Sequence, residues 1–237
     1  MRAGTTSLRS GVLILNRSVY NKTVRTRGER DGRTFTEQAR RAQLVACAID
    51  LVAQSGYAQA SVSKIAERAG VAKSAVLYYF DGKEELLHAL ITEIFLTAVP
   101  VMVPAVEAES TAVGKLGAYV RSNGEFIATH RNHALAMLEI WTSYRSPAGQ
   151  RLDEVMAASV ADRPPVGDLA ALDPAPILEL GQRNHEFRAF SVPAMAIAVR
   201  QAVDGAVLHL SRNPDFDVRG YCEELVTTFD LATRRQQ

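Results

Sequence analysis

Cysteine is nearly absent, with only Cys47 and Cys222 in 237 residues. The two stand alone, without C-x-x-C spacing, which argues against a disulfide framework or a cysteine-built metal site. Both fall in helical stretches and are expected to be buried thiols. No apolar run approaches the roughly 20 residues needed to cross a bilayer. The apolar run near the N-terminus, residues 11–15, is shorter than a secretory h-region of about 7–15 residues. The expectation is a cytoplasmic protein without a membrane partner. Strand-length alternation of apolar and polar residues is also missing, which points to an all-α fold. There is no G-x-S-x-G, no P-loop and no nucleotide-binding glycine motif. His130 and His133 form an H-x-x-H pair, but no third ligand is in view and they read as surface histidines. No catalytic residue, metal or cofactor is therefore assigned, and an enzyme is the disfavoured class.

Charge is present in both signs and unevenly distributed. Residues 1–83 carry 14 Lys or Arg against 6 Asp or Glu, a net of +8, and residues 84–237 carry 13 against 20, a net of −7. A basic head on an acidic body suits a nucleic-acid partner. Residues 1–33 are rich in Arg and Gly and lack periodicity, so they read as a flexible basic arm. That arm either touches phosphates or a minor groove, or has no specific role. An overlong start is a third reading.

Helical spacing then organises the chain. Residues 36–54, with Thr36 as N-cap, repeat apolar side chains at Ala42, Val45, Ala46, Ile49 and Val52. Gly56 ends this helix. Ser61 is a good N-cap for the next helix, and Gly70 supplies the positive φ a helix end requires. A helix from Lys83 runs through Leu86, Leu90 and Ile94 until Pro100 and Pro104 interrupt or end it. The body reads as helices over about 106–129, 132–146, 147–160, 175–184, 193–211 and 218–234. A Pro- and Asp-rich loop covers 161–176.

The stretch from Ser61 to Lys83 is the most informative. Ile65, Ala66 and Ala69 form an apolar step, Gly70 breaks it, and Val71, Val76 and Tyr79 continue the buried face. A small residue, a glycine four later and a branched apolar six beyond is the spacing of a DNA-binding helix-turn-helix. The second helix, residues 73–80, is the one expected in the major groove. It offers Lys73, Ser74, Ala75 and Tyr78 to the outside. Ala75 admits close approach to a thymine methyl, and Ser74 and Lys73 suit a base edge or a phosphate. Few of these side chains form bidentate base pairs, so DNA shape should carry much of the specificity.

On Gly56–Tyr57, Ser61–Ala66, Ala69–Val71, Tyr78–Phe80 and Lys83–Leu86, residues 36–95 closely resemble the N-terminal domain of the TetR family of transcriptional regulators. The remainder resembles the family more weakly, chiefly at residues 186–206. The resemblance implies an all-α subunit in three parts: a flexible arm (1–33), a three-helix helix-turn-helix DNA-binding head (34–82) and a ligand-binding and dimerisation body (83–237). It implies a homodimer on a palindromic operator in double-stranded DNA, released by a small-molecule effector. An activator or a ligand-independent regulator has the same sequence signature, and a helical dimer that does not bind DNA is the more distant alternative. The family pattern puts phosphate contacts at Ser61, Tyr79 and Lys83, and Ser63 matches a further position that reaches DNA. Tyr79 reads equally as core. Where the family commonly has Thr-Leu-Tyr this chain has Ala75-Val76-Leu77, which exchanges a hydroxyl for apolar surface.

Within the body, Phe126, Leu138, Trp141, Tyr144 and Phe190, with His133 and Glu139 as polar groups, are the candidate effector pocket, or else ordinary core and surface. The alanine-rich helix near the end suggests a four-helix dimer interface through Ala198, Ala202, Val203, Ala206 and Leu210. The helix from Lys83 is expected to couple the two domains.

Overall fold

The computed structural model describes residues 34–152, 154–155 and 172–235, and those residues form helices, turns and one isolated bridge. The arm at 1–33 and most of the expected loop at 161–176 lie outside the described residues.

Three helices make the head. α1 spans Phe35–Ser55 and starts at Thr34, two residues before the expected cap. The reason is local: Glu37 stands at the third helical position from Thr34, and the two side chains close a reciprocal capping box. The buried face also differs from the expected one. Leu44, Val45, Ala48, Ile49 and Val52 point inward, while Ala42 and Ala46 face out. Cys47 is half-buried, Cys222 is buried, and both are free thiols. A single 3₁₀ turn, Tyr57–Gln59, leads to α2, Val62–Arg68, capped by the Ser61 hydroxyl. Gly70 ends α2 at φ 65°, with Gly70 N–H donating to Glu67 and Val71 N–H reaching back to Ala66. Those two bonds satisfy the last carbonyls of α2 in a Schellman turn. α3, Lys73–Tyr79, follows at once and buries Val76 completely.

α4 runs over Lys83–Glu107, straight through Pro100 and Pro104. The expected break is absent. Both prolines sit on the exposed side, while Met102, Val103 and Val106 continue the buried face. Packing along α5 offsets the roughly 3 kcal/mol each interior proline costs a helix. As a result α4 is 25 residues long and, over its most apolar window, has a mean hydropathy of 2.0. By length and composition it could cross a membrane, contrary to the sequence expectation, but half of that window is buried as in a core helix.

The body continues with α5, Ala112–Thr129, capped by Thr111, and α6, Arg131–Ser143. Residues 146–150 form a turn closed by Ser146 and Gln150, so the helix expected over 147–160 is absent at its start, and residues 156–160 lie outside the described residues. α7 spans Ala175–Arg183, α8 Val192–Arg212 and α9 Val218–Thr233. α5 is central, lying against α4 on one side and α9 on the other. Gly124 permits that second approach: a Cβ there would stand 2.7 Å from Cys222 Sγ.

Candidate functional site

The head presents the outer sides of α2 and α3. Val76, Ile65 and Ala66 are buried, and this fixes the rotation of both helices. Lys73 and Ser74 are then exposed, Ala75 is half-buried, and Leu77 and Tyr78 are 46% and 72% exposed. Leu77 and the Tyr78 ring thus add exposed apolar and aromatic surface to the outside of this short helix. Tyr78 is held in place: its hydroxyl donates to Glu37 Oε1 at 3.1 Å, and its ring meets Tyr79 edge-on at 5.0 Å. Glu37 escaped the sequence reading, although the Thr34-x-x-Glu37 spacing signals the helix start that positions it. Tyr79 itself is half-buried against the core.

The expected phosphate contacts divide. Ser63 is exposed, and Ser61 is exposed but uses its hydroxyl to accept from Lys64 N–H at 3.3 Å. Lys83 turns inward. Its ammonium donates to the Tyr57 carbonyl at 3.2 Å and lies 4.2 Å from the Tyr57 ring centre. Burial lowers its pKa, partly countered by Glu84. This lysine ties the start of α4 to the 3₁₀ turn that follows α1.

The body contains a cavity of about 120 Å³ between α4, α5, α6 and α8. Phe126, Leu138 and Trp141 line it as expected. His133, Glu139, Tyr144 and Phe190 do not. His133 stacks edge-on to His130, and burial lowers its pKa, with His130 adding to the effect. Glu139 lies beside Gly56 at the end of α1. Tyr144 donates to Glu84 Oε2 at 2.9 Å, and burial with that acid raises its phenol to about 12. Phe190 stands beside Phe187, under the Arg188 guanidinium. Apolar walls come instead from Ile94, Phe95, Ala98 and Met102 of α4 and from Ala134 and Met137 of α6.

Two charged residues in the lining were missed, Arg200 and Asp204 on α8. The available signal was an Arg and an Asp four apart in an otherwise apolar helix. Arg200 donates to the Leu172 carbonyl at 2.7 Å, and its guanidinium carbon is 5.4 Å from the Tyr119 ring centre. Burial raises the pKa of Asp204 and of nearby Asp173, opposed in both cases by Arg200. Among the described residues no group of three or more His, Cys, Asp or Glu is arranged to hold a metal.

The dimer expectation is corrected in part. Val203, Ala206 and Leu210 are buried within the protomer, because α8 uses that face against α5, α6 and α7. Ala202 is half-buried, with its carbonyl accepting from the Tyr221 hydroxyl. Only Ala198 lies outward, flanked by Ala194, Ile197, Gln201 and Leu208, with Leu231 exposed on α9.

Head and body meet mainly where α6 packs on α1. Asn132 donates to Asp50 of α1 at 2.7 Å, and Tyr144, just past α6, meets Tyr57 edge-on at 5.7 Å.

Comparison with known proteins follows this division. Residues 44–90 match the family described as bacterial regulatory proteins, tetR family. Over 115 residues, 48% of this chain and 59% of its relative, the sequence is 30% identical to the fatty acid metabolism regulator protein of Bacillus subtilis (strain 168). It is 32% identical over 123 residues to the HTH-type transcriptional regulator BetI 2 of Chromohalobacter salexigens, covering 50% of this chain and 59% of that one. The chain thus matches about three-fifths of the length of each curated relative. The solved fatty acid degradation regulator FadR of Bacillus halodurans superposes with a TM-score of 0.65 at 21% identity, over 81% of this chain and 99% of that one. At that identity the likeness speaks for the fold.

Proposed function

We propose that this chain, a member of the TetR family through residues 44–90, is a transcriptional regulator that binds double-stranded DNA as a homodimer and responds to a small molecule held in the body. The observation that carries the reading is the outer side of α3, where Lys73, Ser74, Leu77 and Tyr78 are exposed on a helix locked by a fully buried Val76. Ser61 and Ser63 at the start of α2 are exposed as well, and Tyr79 packs against the core. A symmetric pair would present two such helices to successive major grooves, about 34–36 Å apart, on a palindromic operator. The pairing surface is the outward side of α8 and α9 around Ile197, Ala198, Leu208 and Leu231.

Coupling runs through two helices. α4 lines the cavity with Ile94, Phe95 and Ala98 and enters the head at Lys83. α6 lines it with Met137, Leu138 and Trp141, and engages α1 through Asn132. A ligand that fits one disposition of these helices better than another shifts operator affinity by that difference alone. Repression relieved by the effector is the reading we favour.

A gel shift on the DNA upstream of the protein's own coding sequence tests this. The expected result is a saturable complex that weakens steeply with salt. Affinity no higher for that DNA than for unrelated duplex would remove the operator reading.

A further inference from the structure

We infer that Glu37 is a positioning residue for DNA recognition: by taking the hydrogen of the Tyr78 hydroxyl, it makes Tyr78 a reader of base edges rather than a donor to phosphate. The group read is an exocyclic amine in the major groove, on adenine or cytosine. This deepens the DNA-binding reading above and rests on it.

The bond joins elements far apart in the chain. Tyr78 lies on the outside of α3, 72% exposed, and its hydroxyl donates to Glu37 Oε1 at 3.1 Å, across 41 positions of sequence. Its direction follows from chemistry. A surface carboxylate at neutral pH is ionised and only accepts, so the shared hydrogen is the phenol's. Phosphate oxygens also only accept. While its hydrogen points to Glu37, the hydroxyl has none to give a phosphate. The phenol oxygen keeps its accepting side, and polarisation by the carboxylate strengthens it as an acceptor. In the major groove the complementary groups are the amines at adenine N6 and cytosine N4.

Glu37 is itself fixed, because its second oxygen is committed elsewhere. Oε2 accepts from the Thr34 backbone N–H at 2.7 Å and from the Thr34 hydroxyl at 3.1 Å, within the capping box that starts α1. A carboxylate engaged at both oxygens holds its acceptor at one point in space. On its other side the Tyr78 ring meets Tyr79 edge-on, with centroids 5.0 Å apart, and Tyr79 packs against the core. Tyr78 is thus braced by the start of α1 and by the end of α3.

Charge points the same way. An anion bonded to a side chain on the face offered to a duplex repels phosphates, and so weakens binding to every sequence alike. An arrangement that loses affinity everywhere and regains it at one base pair raises the ratio of specific to non-specific binding. The other outward side chains of α3 discriminate less. Lys73 and Ser74 serve a base or a phosphate, and Leu77 offers apolar surface. Tyr78 combines exposure with a polar atom held in a set direction.

The experiment uses the full chain and a pool of random-sequence duplexes. Repeated binding and amplification gives the base preference at each position, and gel shifts give the affinity for one duplex from the unenriched pool. The variants are Tyr78→Phe, Glu37→Ala, the two combined, and Thr34→Ala. Tyr78→Phe should keep affinity for the unenriched duplex within about twofold, and lower the preference for adenine or cytosine at one position of each half-site by about three- to tenfold. Glu37→Ala should lower the same preference without weakening binding to the unenriched duplex. The combined variant should lose no more preference than either alone. Thr34→Ala breaks the capping box and should lower Tm as Glu37→Ala does, yet keep the preference, which separates positioning from helix stability. Tyr78→Phe weakening every duplex by the same factor would show a phosphate contact and overturn the inference. So would an unchanged preference in Tyr78→Phe or in Glu37→Ala, or an equal loss of preference in Thr34→Ala. Tyr78→Phe serves alone if the Glu37 variant does not fold. A wild-type chain that enriches no sequence overturns this inference together with the operator reading. Enrichment by the wild type with any of the other adverse results overturns this inference and leaves the regulator.

Discussion

Lys83 and Lys73 offer the sharpest test of how the head meets DNA. Family resemblance implies a phosphate contact at Lys83, yet its ammonium is spent on the Tyr57 carbonyl and ring. Lys73 opens α3 and is exposed. Lys83→Met keeps the aliphatic stem and removes both polar interactions. A hydrogen bond from a charged donor and a cation–π contact at a half-exposed site together are worth about 1–2 kcal/mol. For a chain of this size that corresponds to a Tm lower by about 2–8 °C. Lys73→Ala should leave Tm nearly unchanged. The DNA readout is the slope of log affinity against log salt on a non-specific duplex, which needs no knowledge of the operator. Each lost phosphate contact reduces the slope by about 0.9. The expectation is a reduction of that size per protomer for Lys73→Ala and none for Lys83→Met. A reduced slope in Lys83→Met with unchanged Tm would refute the inward assignment. An unchanged slope in Lys73→Ala would refute the outward one.

Ile197→Asp places a charge on the exposed side of α8 and should convert a dimer to a folded monomer in gel filtration, with circular dichroism unchanged; Val203→Asp, at a site 2% exposed, should unfold the protomer instead. Gly181→Ala should lower Tm markedly, because its Cβ would stand 2.7 Å from Phe187 Cγ and closer still to other ring atoms, whereas Gly70→Ala, with open space around it, should lose only the roughly 1 kcal/mol of a positive-φ position. Tyr144→Phe removes the hydroxyl that joins the end of α6 to Glu84 of α4. Because Glu84 is exposed, the loss should be about 1 kcal/mol or less. It should shrink the change in operator affinity caused by any effector, and an unaltered change would assign coupling to other contacts.

Local signals accounted for most of the head. Ser61 as a cap, Gly70 as a left-handed turn and Val76 as the buried anchor are each short-range choices, visible in a few residues of sequence. The first cap was two residues off because Thr34 and Thr36 are both good caps, and only the reach of Glu37 separates them. Pro100 and Pro104 misled for a different reason. Propensity is local, and the packing that outweighs it is not.

The sequence by itself determined an all-helical chain, a basic N-terminal part and a helix-turn-helix with its inward and outward residues, because capping, turn chemistry and helical period act within a few positions. Only the tertiary structure decided which face of the alanine-rich α8 is core, that Lys83 bonds to the Tyr57 carbonyl, and that Arg200 and Asp204 join the lining of a largely apolar cavity. Those outcomes depend on which helices become neighbours. In a helix apolar on most sides, such as α8, period alone does not select the buried face.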